Sequence, residues 1–177
     1  MWQNNKKPLK QFKVGDFVVH PVYGVGHIVQ IEEKQFSEKV KRLYYRVALL
    51  PKHTIWVPVE TSERTGLRSV TAKNELDQYR DLLKSRPVAL PKKFDQRHRE
   101  LLGRLNQGSF QVMCEVVRDL TAWSWRKPLG SIDIATLQKT RESLYREWAT
   151  AAGVTTTEAI KEIDTLLMAN RQVYNVG

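Results

Sequence analysis

The 177-residue sequence is poor in several things that would have pointed to particular chemistries. It holds one cysteine, Cys114, so no intramolecular disulfide can form, and a reducing compartment is expected. No stretch approaches the roughly 18 apolar residues of a membrane span. The opening residues, MWQNNKKPLKQF, lack the apolar run of a secretory signal. A cytoplasmic protein with no membrane partner is the expectation. Acidic residues are also short, 19 Asp and Glu against 29 Lys and Arg, which leaves a formal net charge of +10. An excess of this size favours a polyanionic partner, nucleic acid foremost. Hydrophobic content of 41% is ordinary for a globular chain and argues against wholesale disorder.

Catalytic and cofactor signatures are missing as well. The four histidines, His20, His27, His53 and His98, do not pair with one another or with Cys114 at metal-ligand spacing. VYGVGHI carries two glycines but neither the lysine nor the strand-to-helix context of a phosphate loop. No G-x-S-x-G elbow occurs. No enzyme activity, no metal and no cofactor are expected. Asp16, Glu60 and Asp119 read as turn, surface and helix-pairing groups.

What the chain does have is a change of period near residue 70. From Phe12 onward, short runs rich in β-branched and aromatic residues alternate with tight turns. Gly15-Asp16 is one turn, PVYG another, and GHIVQIEEKQF, KRLYYRVAL and TIWVPVE read as strands. About 60 residues of this kind predict a small, strongly bent antiparallel barrel. Pro58 lacks the N–H that a central strand needs, so its strand lies at an edge or ends there. That leaves main-chain groups for a partner.

The pattern then becomes helical. TAKNELDQYRDLLKS offers Asn74 as a cap and Leu76, Tyr79 and Leu83 on one face. RPVALPKK, with two prolines, is a linker. Four further helices follow: from Asp95 to about Leu105; from Ser109 with Phe110, Met113, Val117 and Leu120; from Ser131 or Asp133 to Gly153; and one opened by a Thr155–Glu158 capping box. The expected fold is α+β with two domains, an N-terminal antiparallel β-barrel and a C-terminal all-helical domain. The expected boundaries are a basic arm at 1–10, the barrel at 11–70, a helix and Pro-rich linker at 71–90, the helical domain at 91–170 and a tail at 171–177.

FKVGDFVVHPVYGVGHIVQIE followed by WVPVETSERTGLRSV resembles the polymerase-interacting module of the CarD-type bacterial transcription regulators, which transcription-repair coupling factors share. LNQGSFQVMCEVVRDL resembles the helical domain that follows it in the stand-alone regulators. The likeness spans about residues 12–168. It implies a Tudor-like barrel that binds a lobe of the RNA polymerase β subunit, and a helical domain that touches promoter DNA at the upstream edge of the bubble. An aromatic wedge enters the minor groove there and the open complex lives longer. Phe94 falls where many members have tryptophan, so it is the implied wedge. Arg97 and Arg99 match basic residues that contact DNA, and the local charge of Lys92 and Lys93 adds candidate phosphate contacts. Lys34 and Trp56 match positions facing the polymerase, and Pro58 lies in the matching edge strand. Some members carry a basic residue at the Trp56 position, so the aromatic here replaces an ionic contact with an apolar one.

Each of these residues has a plainer alternative. Phe94 could be a hydrophobic staple preceding an Asp95 cap, although its staple position is filled by Arg99. Trp56 could fill the barrel, because Ile55, Trp56, Val57 and Val59 leave both faces apolar. AWSWRK is expected to pack at least one of Trp123 and Trp125 into the core, and Arg118-Asp119 reads as a structural pair. The reading is a monomeric, non-enzymatic transcription regulator with weak sequence specificity for promoter DNA. Its rival is a general architectural nucleic-acid-binding protein that does not depend on RNA polymerase.

Overall fold

The computed structural model describes residues 11–36, 40–49 and 52–174. The basic arm assigned to residues 1–10 and the end of the tail fall outside the described residues. The chain divides into two compact units, Met1–Val70 and Thr71–Gly177.

The first unit is a five-stranded antiparallel sheet. Its strands are β1 (Phe17–His20), β2 (Gly24–Lys34), β3 (Arg42–Leu49), β4 (His53–Pro58) and β5 (Arg68–Ser69), in the spatial order β4-β3-β2-β1-β5. Asp16 closes the turn before β1, its carboxylate accepting from the Lys13 N–H at 2.8 Å. Phe12, Val18, Ile28, Tyr45, Val47, Leu49, Val57 and Leu67 form the core.

Ile28 and Ile31 both face that core although they are three positions apart, an odd spacing for a strand. The register explains it. Ile28 pairs with Val47 while Gln30 pairs with Arg46, so Val29 is a bulge. Beyond it, Gln30, Glu32 and Lys34 share the outer face with Arg46, Tyr44 and Arg42, their partners on β3. The sheet also needs Gly26 between β1 and β3. A Cβ there would sit 2.7 Å from the Ala48 carbonyl oxygen and 2.9 Å from Val47 Cγ1. Pro58 ends β4, and β4 is an edge strand, as its missing N–H demands.

The second unit contains five α-helices: α1 (Leu76–Lys84), α2 (Phe94–Leu105), α3 (Phe110–Arg126), α4 (Ser131–Ala152) and α5 (Thr156–Tyr174). Leu76, Leu83, Leu101, Leu120, Leu144, Trp148, Ile163 and Leu167 are among the residues buried between them. Trp148 is fully buried, and its indole N–H donates to Glu162 Oε2 at 2.9 Å, so the ring loses water without orphaning its donor. Leu90 also joins this core, which anchors the proline-rich segment to the helices.

Local signals set most helix ends. The Ser109 hydroxyl accepts from the Val112 N–H. Thr155 and Glu158 exchange their capping hydrogen bonds, and Gly153 stops α4 at φ 72°. Two starts differ from expectation. The Asn74 cap is replaced by a 3-10 turn, Lys73–Glu75, in which the Glu75 carboxylate accepts from the Ala72 N–H at 3.1 Å. Helix α2 begins one residue early, with Lys93 in the capping position and Phe94 as its first helical residue. Asp95 lies in the first turn instead, where its charge complements the helix dipole. At least one tryptophan of AWSWRK does pack inward, since Trp123 lies against the helical core.

Candidate nucleic-acid and partner surfaces

The start of α2 is built around Arg97. Its guanidinium Nε and Nη2 donate to Asp133 Oδ2 at 3.0 and 2.7 Å. Its Nη1 donates to the carbonyls of Pro91 and Lys92 at 2.9 and 3.2 Å. The same group lies 4.7 Å from the Trp123 ring centre and 5.9 Å from that of Phe94. Arg97 and Asp133 are both buried, and Asp133 occupies the first turn of α4, where the helix dipole also favours a carboxylate. Arg97 therefore fixes residues 91–94 from beneath. Its donors are engaged within the protein, and it does not stand on the surface beside Lys92, Lys93 and Arg99.

Those three are exposed, as is Phe94, whose residue retains 40% of its accessibility. The Phe94 ring stacks on His98 with centroids 5.7 Å apart and planes 8° from parallel. A one-turn separation on α2 places the two rings together. Phe94 is therefore not a staple residue before the cap, and its ring partner on α2 is His98 rather than Arg99. With Arg97 on one side and His98 on another, the phenyl ring is held in place while still facing solvent. Arg99 rests near its own helix, Nε 3.4 Å from the Asp95 carbonyl. Lys92 and Lys93 make no ion pair with any described residue.

Arg118-Asp119 forms a buried structural pair, Nε to Oδ1 at 2.8 Å. The Asp119 carboxylate also accepts from the Val88 N–H at 3.0 Å, and Arg118 Nη1 donates to Ser85 Oγ at 2.7 Å. Together they pin the proline-rich segment onto α3.

The sheet unit carries a separate surface on its outer face. Arg46 pairs with Trp56, and Tyr44 with Pro58, which settles the alternation that the sequence left open. Val57 points inward at 3% exposure, whereas Trp56 remains 37% exposed. The Lys34 ammonium lies 3.9 Å over the Trp56 ring, and the Trp56 indole N–H donates to Glu32 Oε1 at 2.8 Å. Lys34 in turn approaches Glu32 at 3.5 Å. The hydrogen bond from Trp56, followed by the attraction of Lys34 and Arg46, holds the Glu32 carboxyl below its ordinary range against the opposing effect of desolvation. Phe36 packs edge-on against Tyr44 at 5.0 Å and is mostly exposed.

Lys34, Trp56 and Pro58 thus lie on one face around β4. A shallow groove there is lined by Tyr23, Phe36, Tyr44, Trp56 and Pro58 among others. Sequence reading missed Glu32, Phe36 and Tyr44. The bulge at Val29 concealed the face to which Glu32 belongs, although the alternation of Tyr44 with buried Tyr45 was a usable signal.

Among the described residues, no group of three or more His, Cys, Asp or Glu side chains could hold a metal ion. Among the same residues, no helix is long and apolar enough to cross a membrane.

Comparison with known proteins matches both units. Residues 12–71 match the family described as CarD-like/TRCF RID domain, and residues 78–164 match that described as CarD, C-terminal domain. A protein of Bacillus subtilis (strain 168) named "Putative transcription factor YdeB" is 27% identical over 144 residues, covering 81% of this chain and 94% of that protein.

Proposed function

Since the chain belongs to the CarD-type family of transcription regulators, we propose that it prolongs the life of the promoter open complex through two contacts. The outer face of β4, with Lys34, Trp56 and Pro58, holds a β-subunit lobe of RNA polymerase. The start of α2 meets promoter DNA at the upstream edge of the bubble, with Phe94 as the minor-groove wedge.

The observation that carries this reading is the exposed Phe94 ring, fixed by His98 and Arg97 amid surface cations that make no ion pair with a described residue. An apolar wedge partly unstacks a base step, and flanking cations hold the phosphates on either side. Lys92, Lys93 and Arg99 are the phosphate contacts. Arg97 takes a different part from theirs: it positions the wedge by holding the Pro91 and Lys92 carbonyls. A pre-fixed ring avoids most of the ordering cost of binding. Phenylalanine offers less surface than tryptophan and no N–H donor, so this wedge relies on shape alone. Sequence preference is accordingly weak and follows deformability.

The polymerase contact is tested by capture of purified RNA polymerase on the immobilised full chain. Trp56→Ala is expected to lower capture at least fivefold, and Phe94→Ala to leave it within about twofold, because interface aromatics carry a large share of binding energy. Equal capture by wild type and Trp56→Ala would move the polymerase contact off this face.

A further inference from the structure

A second feature of the helical unit lies close to Phe94 and is unused by the wedge. A cavity of about 460 Å³ opens between segment 86–92, the C-terminal turns of α3 and Tyr174 of α5. Its apolar wall includes Val88, Ala122 and Trp123. Val88 is 59% exposed, so the wall is open to a ligand. Arg86, Lys92, Arg126 and Lys127 also line it, and none of the four makes an ion pair with a described residue. Asp119 is the acidic group among the lining residues. Its side chain is buried and its charge is countered by Arg118 at 2.8 Å and Arg104 at 3.6 Å, although Oδ2 has no hydrogen-bond partner among the described residues, so the four cations outnumber it at the rim.

The cavity and the wedge are mechanically joined. Arg97 stands between the Trp123 wall and the Phe94 ring, and Lys92, two residues before Phe94, is shared by the cavity rim. The volume falls within the roughly 300–1,000 Å³ that suits small-ligand pockets. It has room for one nucleotide unit but not for a duplex. Unpaired cations around an indole wall are the combination by which single strands are held, phosphates on the cations and a base on the ring. An acidic peptide would meet the same charges, but the ring wall and the closeness to Phe94 favour DNA.

We propose that this cavity takes one unstacked nucleotide of a single DNA strand, its base against the Trp123 wall and its flanking phosphates on Arg86, Lys92, Arg126 and Lys127. The inference rests on the reading that Phe94 faces DNA at the edge of a melted segment. It adds a strand-capture site to the wedge. A strand held here cannot re-pair with its complement.

The test measures fluorescence anisotropy of labelled oligothymidylate with the full chain, over a series of salt concentrations and without polymerase. Arg126→Glu combined with Lys127→Glu reverses charge at the rim, and Val88→Glu places a carboxylate on the open wall. Lys139→Glu combined with Lys161→Glu makes the same charge change at exposed sites elsewhere on α4 and α5. Both cavity variants are expected to weaken binding about tenfold or more, and the distant pair about twofold or less. Equal losses in the cavity and distant variants would reduce the effect to general charge and overturn the proposal. So would absent binding by wild type, or oligoglutamate bound more tightly than oligothymidylate with the same sensitivity to Val88→Glu. Failure of the wedge itself appears elsewhere, in the response of polymerase open complexes to Phe94→Ala.

Discussion

Arg97 on α2 and Asp133 on α4 form a buried, doubly hydrogen-bonded ion pair across 36 positions of sequence. It joins the segment bearing Lys92 and Lys93 to the helical core. Removing one partner leaves the other charge buried and unanswered, at a cost of roughly 3–5 kcal/mol. Arg97→Ala and Asp133→Ala are each expected to lower the unfolding free energy by that order, measured by urea unfolding followed by circular dichroism. The double variant should lose less than the sum of the two. Arg97→Lys should not rescue, because an ammonium cannot reproduce the fork that spans Asp133 and two carbonyls.

Glu32 and Trp56 give a pH-dependent prediction. The hydrogen bond from the indole is the main reason the Glu32 carboxyl titrates below its ordinary 4.5. A carboxyl with a depressed folded value contributes stability that is present above the unfolded value and lost as pH falls through the folded one. Trp56→Phe removes the donor and is expected to move the Glu32 midpoint up toward 4.5. Carboxyl-detected NMR titration of wild type and variant measures it directly. An unmoved midpoint would mean that Lys34 and Arg46 suffice.

Gly26 predicts a steric effect confined to the sheet unit. Its α-hydrogen faces β3, and a methyl group would press against the Ala48 carbonyl oxygen at 2.7 Å. Backbone in a paired strand cannot retreat as a flexible side chain can. Gly26→Ala is expected to cost about 1–3 kcal/mol, in line with overpacked cores. Proteolytic nicking in the first 70 residues, with the helical unit left intact, would reveal it.

Much of the fold was legible because its signals are local. Ser109, the Thr155–Glu158 box, Gly153 and Pro58 each act within a few residues, and each does in the structure what its chemistry requires. The site was less legible because its geometry depends on distant partners. Arg97 sits in a run of charges and looks like a surface cation. Its burial depends on Asp133, 36 residues away, and no local spacing reveals that. The early start of α2 was hidden for a similar reason: Lys93 supplies no capping side chain, while Asp95 looks like one. The Val29 bulge shifts the parity of β2, so simple alternation misplaces Glu32 and Lys34. Trp56 was undecided because both faces of its strand carry apolar residues. Pairing with Arg46 settles it.

The central claim is that Phe94 acts as a wedge in an open complex held by polymerase. Its most direct test is the lifetime of a promoter open complex, formed with the cognate RNA polymerase and challenged with a DNA competitor. Three conditions are compared: no added protein, wild type, and Phe94→Ala. The account predicts a lifetime lengthened several-fold by wild type and returned close to the unaided value by Phe94→Ala, while polymerase capture by the variant persists. Wild type with no effect on lifetime, or a full effect retained by Phe94→Ala, would contradict it.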